Sequence, residues 1–172
     1  LGADACELAR QRTNCTVYCG ALESLQLPDG FLDAIHAAQV IEHVLQPKAF
    51  VGEARRVLRT GGALVVAAPV IEPRVFKTNF HIQRMLVPRI SGGREMPFPW
   101  ALDHPYHVIV PCREALCQLL ENGGFQVVRW RLVGWQHFHG MNRKWRLFYH
   151  VMNGMFSLLN SGMNVSVLAV KK

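Results

Sequence analysis

The chain has 172 residues, of which 50% are hydrophobic, 18% are charged and 9% are aromatic. This composition belongs to a globular domain with a hydrophobic core, and it excludes a disordered chain, a collagen and a coiled coil. No apolar run reaches the length of about 18 residues that crosses a bilayer, so a transmembrane protein is excluded as well.

The net charge of +7 is unevenly distributed along the chain. Residues 1–71 contain six Lys or Arg against seven Asp or Glu, whereas residues 72–172 contain thirteen against five. A basic surface of this kind can meet nucleic acid, anionic lipid or a phosphorylated substrate, or it can simply be solvated. Charge alone therefore selects no partner.

Hydrophobic periodicity predicts an alternation of strands and helices. Short β-favouring runs bounded by turn residues indicate strands, and apolar side chains at helical spacing indicate amphipathic helices. The glycine pairs Gly61-Gly62 and Gly123-Gly124 are expected to end the two helices in a left-handed conformation. The predicted elements are strands 16–19 and 32–38, helix 47–58, strand 63–68, helix 113–122, strand 125–133 and strand 164–170. The first three strands are expected to be buried.

This order of elements predicts an α/β fold. A strand, a helix and a wholly apolar strand form a βαβ unit, which places two parallel strands in one sheet. We expect a single domain over residues 1–172, with irregular insertions at about 70–110 and 134–162. Insertions at one end of a parallel sheet are where functional sites are built.

The five cysteines are odd in number and contain no C-x-x-C pair. Neither a structural zinc site nor a disulfide framework is therefore indicated. Reduced thiols in a cytoplasmic protein are the better interpretation.

Three passages of the sequence form a specific set of motifs. They are residues 27–35 (LPDGFLDAI), 39–44 (QVIEHV) and 53–62 (EARRVLRTGG). In order and spacing they resemble the class I S-adenosylmethionine (SAM)-dependent methyltransferases, in particular the type 11 and type 23 groups. Residues 103–107 (DHPYH), the helix after them and the last strand resemble later segments of the same groups.

The resemblance implies a Rossmann-like sheet with strand order 3-2-1-4-5-7-6, in which only strand 7 is antiparallel, and it implies SAM as the cofactor. Asp4 would accept hydrogen bonds from both ribose hydroxyls, since a carboxylate offers only acceptors. Leu22 would pack on the adenine ring. The other implied cofactor-binding residues are Ala21, Glu23, Ala37, Ala38 and Gln39.

One feature of these methyltransferases has no counterpart in the sequence. It is the first strand with its glycine-rich loop, which cradles the carboxypropyl end of the cofactor. The first residue is Leu1 rather than Met. We therefore predict an amino-terminally truncated fragment. Because the first strand lies between strands 2 and 4, we also expect a disrupted junction there.

Methyl transfer from a sulfonium requires alignment, exclusion of water and, for some acceptors, a base. His43, His104 and His107 are the candidate catalytic bases, because a neutral imidazole is poised near neutral pH. For His43, a structural role beside Glu42 is the alternative. No metal site is expected, because similar E-x-x-E-H sites use two carboxylates and Gln39 stands in the first position here.

The leading functional hypothesis is methyl transfer to a small-molecule or lipid-like acceptor. A non-catalytic remnant or binding module with this fold, and an RNA-binding methyltransferase, are the alternatives. Nucleic acid is the least favoured partner, because no known RNA-binding motif is present. Apolar residues at helical spacing between Phe138 and Met155 indicate a helix that covers the sheet or lies on a membrane surface. The sequence leaves the oligomeric state open.

Overall fold

A computed structural model describes residues 2–71, 107–133 and 164–172, together with seven single positions between residues 143 and 158. In these residues, helices alternate with strands as predicted. The elements are α1 (Ala3–Arg12), a 3-10 helix (Leu22–Ser24), β1 (Leu32–Ala38), a second 3-10 helix (Ile41–His43), α2 (Pro47–Val57), β2 (Leu58–Pro69), α3 (Arg113–Asn122), β3 (Phe125–Val133) and β4 (Asn164–Lys171).

The predicted α/β fold is confirmed by the pairing of the described strands. They form one sheet in the order β1-β2-β4-β3. β1 is parallel to β2, and β4 is antiparallel to both β2 and β3. β1, β2 and β3 therefore run in one direction. The implied strand order is reproduced from strand 4 onward, because β1, β2, β4 and β3 take the places of strands 4, 5, 7 and 6.

The hydrophobic core surrounds the two inner strands. Every second residue is buried over residues 64–68 of β2 and 165–169 of β4. The apolar faces of α2 and α3 join the same cluster, through Phe50, Val51, Ala54, Leu116 and Leu120. The expectation of a wholly buried strand at 63–68 is corrected here. Side chains of a strand alternate between two faces, and one face of β2 is only half-buried.

Several predicted boundaries agree with the structure. β1, α3 and β3 have the predicted bounds, and β4 extends one residue further than expected. Gly123 caps α3 after Asn122, and Gly124, with φ of +84°, follows it, so this glycine pair ends the helix as predicted. By contrast, α2 ends at Val57, where β2 begins, rather than at Gly61-Gly62. These two glycines lie where the register of β1 on β2 shifts, and Gly61 has φ of +74° there.

Residues 16–19 do not form the predicted strand. A strand needs a neighbour to complete its hydrogen bonds. The methyltransferase resemblance implies the end of strand 2 at residues 1–4 as this neighbour, but α1 already begins at Ala3. The Val17 carbonyl instead accepts a hydrogen bond from the Arg10 guanidinium at 3.2 Å.

β1 forms one edge of the described sheet. Contrary to the expectation of a buried strand, Ala37 is its only buried residue. The described residues place no strand between α1 and β1. The side of β1 that faces away from β2 therefore lacks a paired neighbour within the described part of the chain.

An ionic cluster fixes the turn that leads into β1. The Arg56 guanidinium on α2 pairs with Asp29 and donates to Glu53 Oε1 at 2.7 Å and to the Leu27 carbonyl at 2.6 Å. The Gly30 N–H donates to the Arg56 carbonyl at 3.0 Å. Direct contacts thus join residues 27–35 to residues 53–62, two of the three passages that resemble methyltransferase motifs.

Other predictions concern the remaining segments. All five cysteines are free thiols, as predicted. None of the described helices is long and apolar enough to cross a membrane. Most of the two predicted insertions and of the predicted helix between Phe138 and Met155 lies outside the described residues.

Candidate functional site

The candidate site lies at one edge of the sheet, where β1 and β2 both end. Ala38 is the last residue of β1 and Pro69 is the last residue of β2. Because these strands are parallel, their carboxyl ends meet at the same edge. In open α/β sheets, ligands bind beside the carboxyl ends of the strands. The segment directly after β1 is therefore the part of the chain in which to look for chemistry.

Gln39, the first residue after β1, has an unusual backbone conformation. Its φ is +55°, in the left-handed region that non-glycine residues seldom adopt. Its N–H donates a hydrogen bond of 2.7 Å to the Ala67 carbonyl of β2. The chain therefore turns away from the sheet immediately after its last bond to β2. Such strained residues cluster at ligand sites, where the surrounding structure holds them in place.

The 3-10 helix Ile41–His43 follows this turn and packs on β2. Ile41 and Glu42 are buried in it, whereas 39% of the His43 side chain is exposed. Glu42 is wholly buried, and neither of its carboxylate oxygens has a hydrogen-bond partner among the described residues. A buried carboxylate without partners is costly, because it loses its hydration without compensation. Glu42 therefore requires an explanation.

His107 reaches the same place from a distant part of the chain. The N–H groups of Val108 and Ile109 both donate to the main-chain carbonyl of Glu42, at 2.8 Å and 3.2 Å. A further main-chain bond of 3.1 Å joins Ile71 to Pro111. These bonds hold residues 107–111 against the end of the sheet. His107, directly before Val108, is thereby placed beside His43.

The side chains of Glu42, His43 and His107 converge. The two imidazole rings have their centroids 5.0 Å apart and are inclined at 58°. His43 Nε2 lies 4.0 Å from Glu42 Oε1. One ligand atom from each residue lies within 4.8 Å of the other two. The cluster thus combines a buried carboxylate with two imidazoles that are less buried.

The structure unites two of the three predicted catalytic histidines, His43 and His107. The third, His104, lies outside the described residues. Glu42 was not among the predicted site residues. The sequence did contain a sign of its importance, because Glu42 is an acidic residue within the largely apolar residues 40–44. From the sequence alone, Glu42 received only a structural role beside His43.

The predicted cofactor-binding residues fall into three groups. Ala37 and Ala38 end β1, and Gln39 leads from it to the cluster. The second group is Ala21, Leu22 and Glu23, at the start of the 3-10 helix Leu22–Ser24. This helix packs against α2, and the Leu22 side chain is partly buried on the core. Asp4 is exposed in the first turn of α1, so it lies in a helix and not at the end of a strand.

Comparison with known proteins points to the family that the sequence motifs resemble. Residues 1–66 match the family model described as a methyltransferase domain. A Mycolicibacterium smegmatis protein, named as a probable SAM-dependent methyltransferase, is 34% identical over 108 residues, which cover 63% of this chain and 34% of that protein. An uncharacterised 37.1 kDa protein from a Streptomyces fradiae transposon is 42% identical over 67 residues, which cover 37% of this chain and 19% of that protein.

Solved structures extend the likeness to nearly the whole chain. A SAM-dependent methyltransferase from Thermotoga maritima aligns with a TM-score of 0.61 at 18% identity, covering 99% of this chain and 70% of that one. Another, from Archaeoglobus fulgidus, aligns with a TM-score of 0.58 at 17% identity, covering 99% and 73%. The chain has the class I methyltransferase fold. The resemblance inferred from residues 27–62 is thereby confirmed.

The likeness to the curated relatives is partial in length. The chain spans about a third of the Mycolicibacterium smegmatis methyltransferase and about a fifth of the Streptomyces fradiae protein. Of the predicted cofactor-binding residues, Ala37, Ala38 and Gln39 lie at the carboxyl end of β1, next to the segment that carries the histidine pair.

Proposed function

We propose that this chain takes part in SAM-dependent methyl transfer to a small-molecule or lipid-like acceptor. The observation that carries the proposal is the position of the Glu42, His43 and His107 cluster. It begins four residues after the end of β1, beyond the left-handed Gln39. Ligands of open α/β sheets bind at this edge, and donor and acceptor must meet there.

In this proposal, three groups of residues hold the cofactor. Exposed Asp4 accepts hydrogen bonds from the ribose hydroxyls. Leu22 packs on the adenine ring, with Ala21 and Glu23 bordering it. The small side chains of Ala37 and Ala38 and the turn at Gln39 allow the backbone to approach the methionine part of SAM. With SAM held there, the cofactor would supply an electrophilic methyl group beside the histidine pair.

The acceptor would be bound beside His43 and His107, with His104 as a further candidate. Transfer is an in-line displacement in which the sulfur–methyl bond breaks as the bond to the acceptor atom forms. If the acceptor is a hydroxyl or an amine, its proton must leave, and a neutral imidazole can take it. Glu42 Oε1 lies 4.0 Å from His43 Nε2, where it would help to orient that imidazole ring.

Exposed apolar and basic side chains favour a lipid-like or anionic acceptor among the possible classes. Leu147, Val151 and Leu158 are exposed large hydrophobic residues, and Arg143 and Arg146 are exposed as well. Such a mixture suits an acceptor with an apolar body and a negative charge, or contact with an anionic membrane surface.

Calorimetric titration with SAM tests the proposal. Two proteins are compared: the chain itself, and an extended chain that carries at its amino terminus the first strand and glycine-rich loop of another class I methyltransferase. We expect the extended chain to bind SAM and the Asp4→Ala variant of it to bind more weakly. If the extended chain does not bind SAM at all, the enzyme proposal fails.

The second candidate function is a binding module with this fold and no catalysis. The observation that favours it is the position of Asp4, which lies in α1 and not at the end of a strand. Transfer of a labelled methyl group from SAM to a mixture of metabolites and lipids separates the two. A binding module would hold SAM or the acceptor without producing a labelled product.

A further inference from the structure

The buried Glu42 carboxylate is the least explained polar group in the described residues. It is fully buried, and both of its oxygens lack a hydrogen-bond partner there. Native proteins almost always pair buried carboxylates with a cation or with hydrogen-bond donors. The methyl-transfer proposal uses Glu42 only indirectly, through His43. A cation between Glu42 and the two histidines would satisfy the carboxylate directly.

The backbone arrangement brings these donors together from separate segments. Neighbouring residues of a helix normally point apart, yet Glu42 Oε1 and His43 Nε2 lie only 4.0 Å from each other. His107 is held in place by the two N–H groups that donate to the Glu42 carbonyl. The ligand atoms of the three residues lie within 4.8 Å of one another.

These separations are close to those of a metal site. Four-coordinate zinc with bonds of about 2.1 Å has its ligand atoms roughly 3.4 Å apart. The donors would therefore need to move inward by about 1 Å, which rotation of side chains can supply. Glu42 is fixed by burial, whereas His43 is 39% exposed and His107 is half-buried.

We propose that Glu42, His43 and His107 form a binding site for one divalent transition-metal ion. Two imidazole nitrogens and one carboxylate oxygen form a borderline donor set, which suits Zn²⁺ or Co²⁺ better than Mg²⁺ or Ca²⁺, since the latter prefer oxygen ligands only. Three protein ligands leave one position open, as in catalytic zinc sites. Water or an acceptor oxygen can occupy it.

This proposal departs from the sequence-based expectation that no metal is bound. That expectation rested on Gln39 in place of a first carboxylate, which matters for a hard cation with an oxygen-rich shell. A transition-metal site does not need a ligand at Gln39, because the imidazoles of His43 and His107 supply the remaining donors. The site does not depend on the proposed methyl transfer. With a metal ion bound, His43 and His107 would be ligands, and a metal-bound hydroxide rather than an imidazole would take the acceptor proton.

Titration of the metal-free chain with Co²⁺ tests the proposal without any cofactor or acceptor. We expect one Co²⁺ per chain, with visible absorption bands typical of a low-coordinate nitrogen and oxygen site, and displacement by Zn²⁺. Glu42→Gln, His43→Gln and His107→Gln should each weaken binding at least about tenfold. His36→Gln is the matched control, since His36 is an exposed histidine of β1 outside the cluster.

Three results would overturn the proposal. The first is the absence of Co²⁺ binding. The second is binding that persists unchanged in both His43→Gln and His107→Gln, whose exposed or half-buried side chains can be replaced without emptying the core. The third is a strong thiolate-to-metal charge-transfer band, which would place the ion on cysteines. In each case SAM binding by the extended chain would still be measurable, so the two proposals fail separately.

Discussion

The imidazole rings of His43 and His107 lie 5.0 Å apart, although α2, β2 and residues 70–106 separate them in the chain. Their proximity is a consequence of the backbone. The Glu42 carbonyl accepts hydrogen bonds from Val108 and Ile109, and this attaches the returning chain to the 3-10 helix that carries His43. Positioning by main-chain bonds is more precise than positioning by a loop alone. These main-chain bonds bring the two rings together.

Replacement of His107 should reduce methyl transfer more than SAM binding. In the extended chain, His107→Gln is expected to lower kcat by roughly 100-fold, because general base catalysis contributes about that much or more. The KM for SAM should change little, since His107 is not among the residues proposed to hold SAM. Transfer of a labelled methyl group gives both values. His36→Gln serves as the control, and an equal loss in both variants would contradict the assignment.

Substitution of Gly62 and of Gly52 by alanine should have opposite effects on the stability of the fold. A Cβ at Gly62 would lie 2.8 Å from the Arg59 carbonyl oxygen and 3.1 Å from that of Asp33. Gly62→Ala should therefore destabilise the fold by about 1–3 kcal/mol, because backbone must move. Gly52 lies within α2 with no atom within 4 Å of its Cβ position, so Gly52→Ala should stabilise by about 0.5–1 kcal/mol.

Denaturant unfolding of the two variants measures this difference. The comparison is informative because both changes add one methyl group to the same βαβ unit. If Gly62→Ala were as stable as the parent chain, the close approach of β1 and β2 at the register shift would be wrong.

The stability of the fold should decrease at acidic pH because Glu53 becomes protonated. The hydrogen bond from Arg56 is the main cause that lowers the pKa of Glu53 below its usual value of 4.5. A carboxyl group with a lowered pKa in the folded state stabilises the fold above its unfolded pKa. That stabilisation is lost as the pH falls from about 4.5 through the lower folded pKa. Acid therefore weakens the attachment of the turn before β1.

Urea unfolding of the parent chain and of Arg56→Gln at several pH values tests this dependence. The difference in unfolding free energy between them should be largest at neutral pH and should shrink below about pH 4.5. Lys48→Gln removes a charge from an exposed position of the same helix and should show no such change. A difference that stays constant with pH would contradict the role of Glu53.

The residues that could be predicted from sequence are those whose structure is set locally. β1 and α3 follow from apolar periodicity and turn residues, so their predicted bounds agree with the structure. Residues 16–19 have the same local β preference but form no strand, because strand formation also depends on a neighbour.

The candidate site also contains residues that could be predicted from local sequence and residues that depend on distant contacts. Residues up to Gln39 could be assigned by resemblance and remain predictions, whereas the partnership of Glu42 with His107 depends on hydrogen bonds between distant segments. No periodicity encodes such a contact. Burial of Glu42 could not be read from the sequence either, since an acidic residue at a helix start is usually solvated.

The thiol of Cys6 should be less reactive than an isolated one. A hydrogen bond with Cys19 is the main cause that raises the pKa of Cys6 above its usual value of 9.0. Less thiolate is then present at a given pH, and thiolate is the reactive form. Cys19→Ala should lower the pKa of Cys6 and accelerate its alkylation near neutral pH.

Mass spectrometry of the chain treated with iodoacetamide for increasing times measures the rate at Cys6. Cys15→Ala, which changes a neighbouring exposed cysteine, is the control and should leave the rate at Cys6 unaltered. An alkylation rate that is identical in the parent chain and in Cys19→Ala would exclude the contact between Cys6 and Cys19.

The last prediction separates strain from cofactor binding with two matched glutamines. Gln39 and Gln26 both have left-handed backbones, with φ of +55° and +50°. A β-branched residue tolerates this conformation poorly, so Gln39→Val and Gln26→Val should each cost about 1–2 kcal/mol of stability. Only Gln39, directly after β1, is a proposed cofactor-binding residue. In the extended chain, glycine keeps the left-handed turn at either position and removes only the side chain, so Gln39→Gly should weaken SAM binding while Gln26→Gly leaves it unchanged. Equal SAM affinities in the two glycine variants would show that the Gln39 side chain does not contact the cofactor.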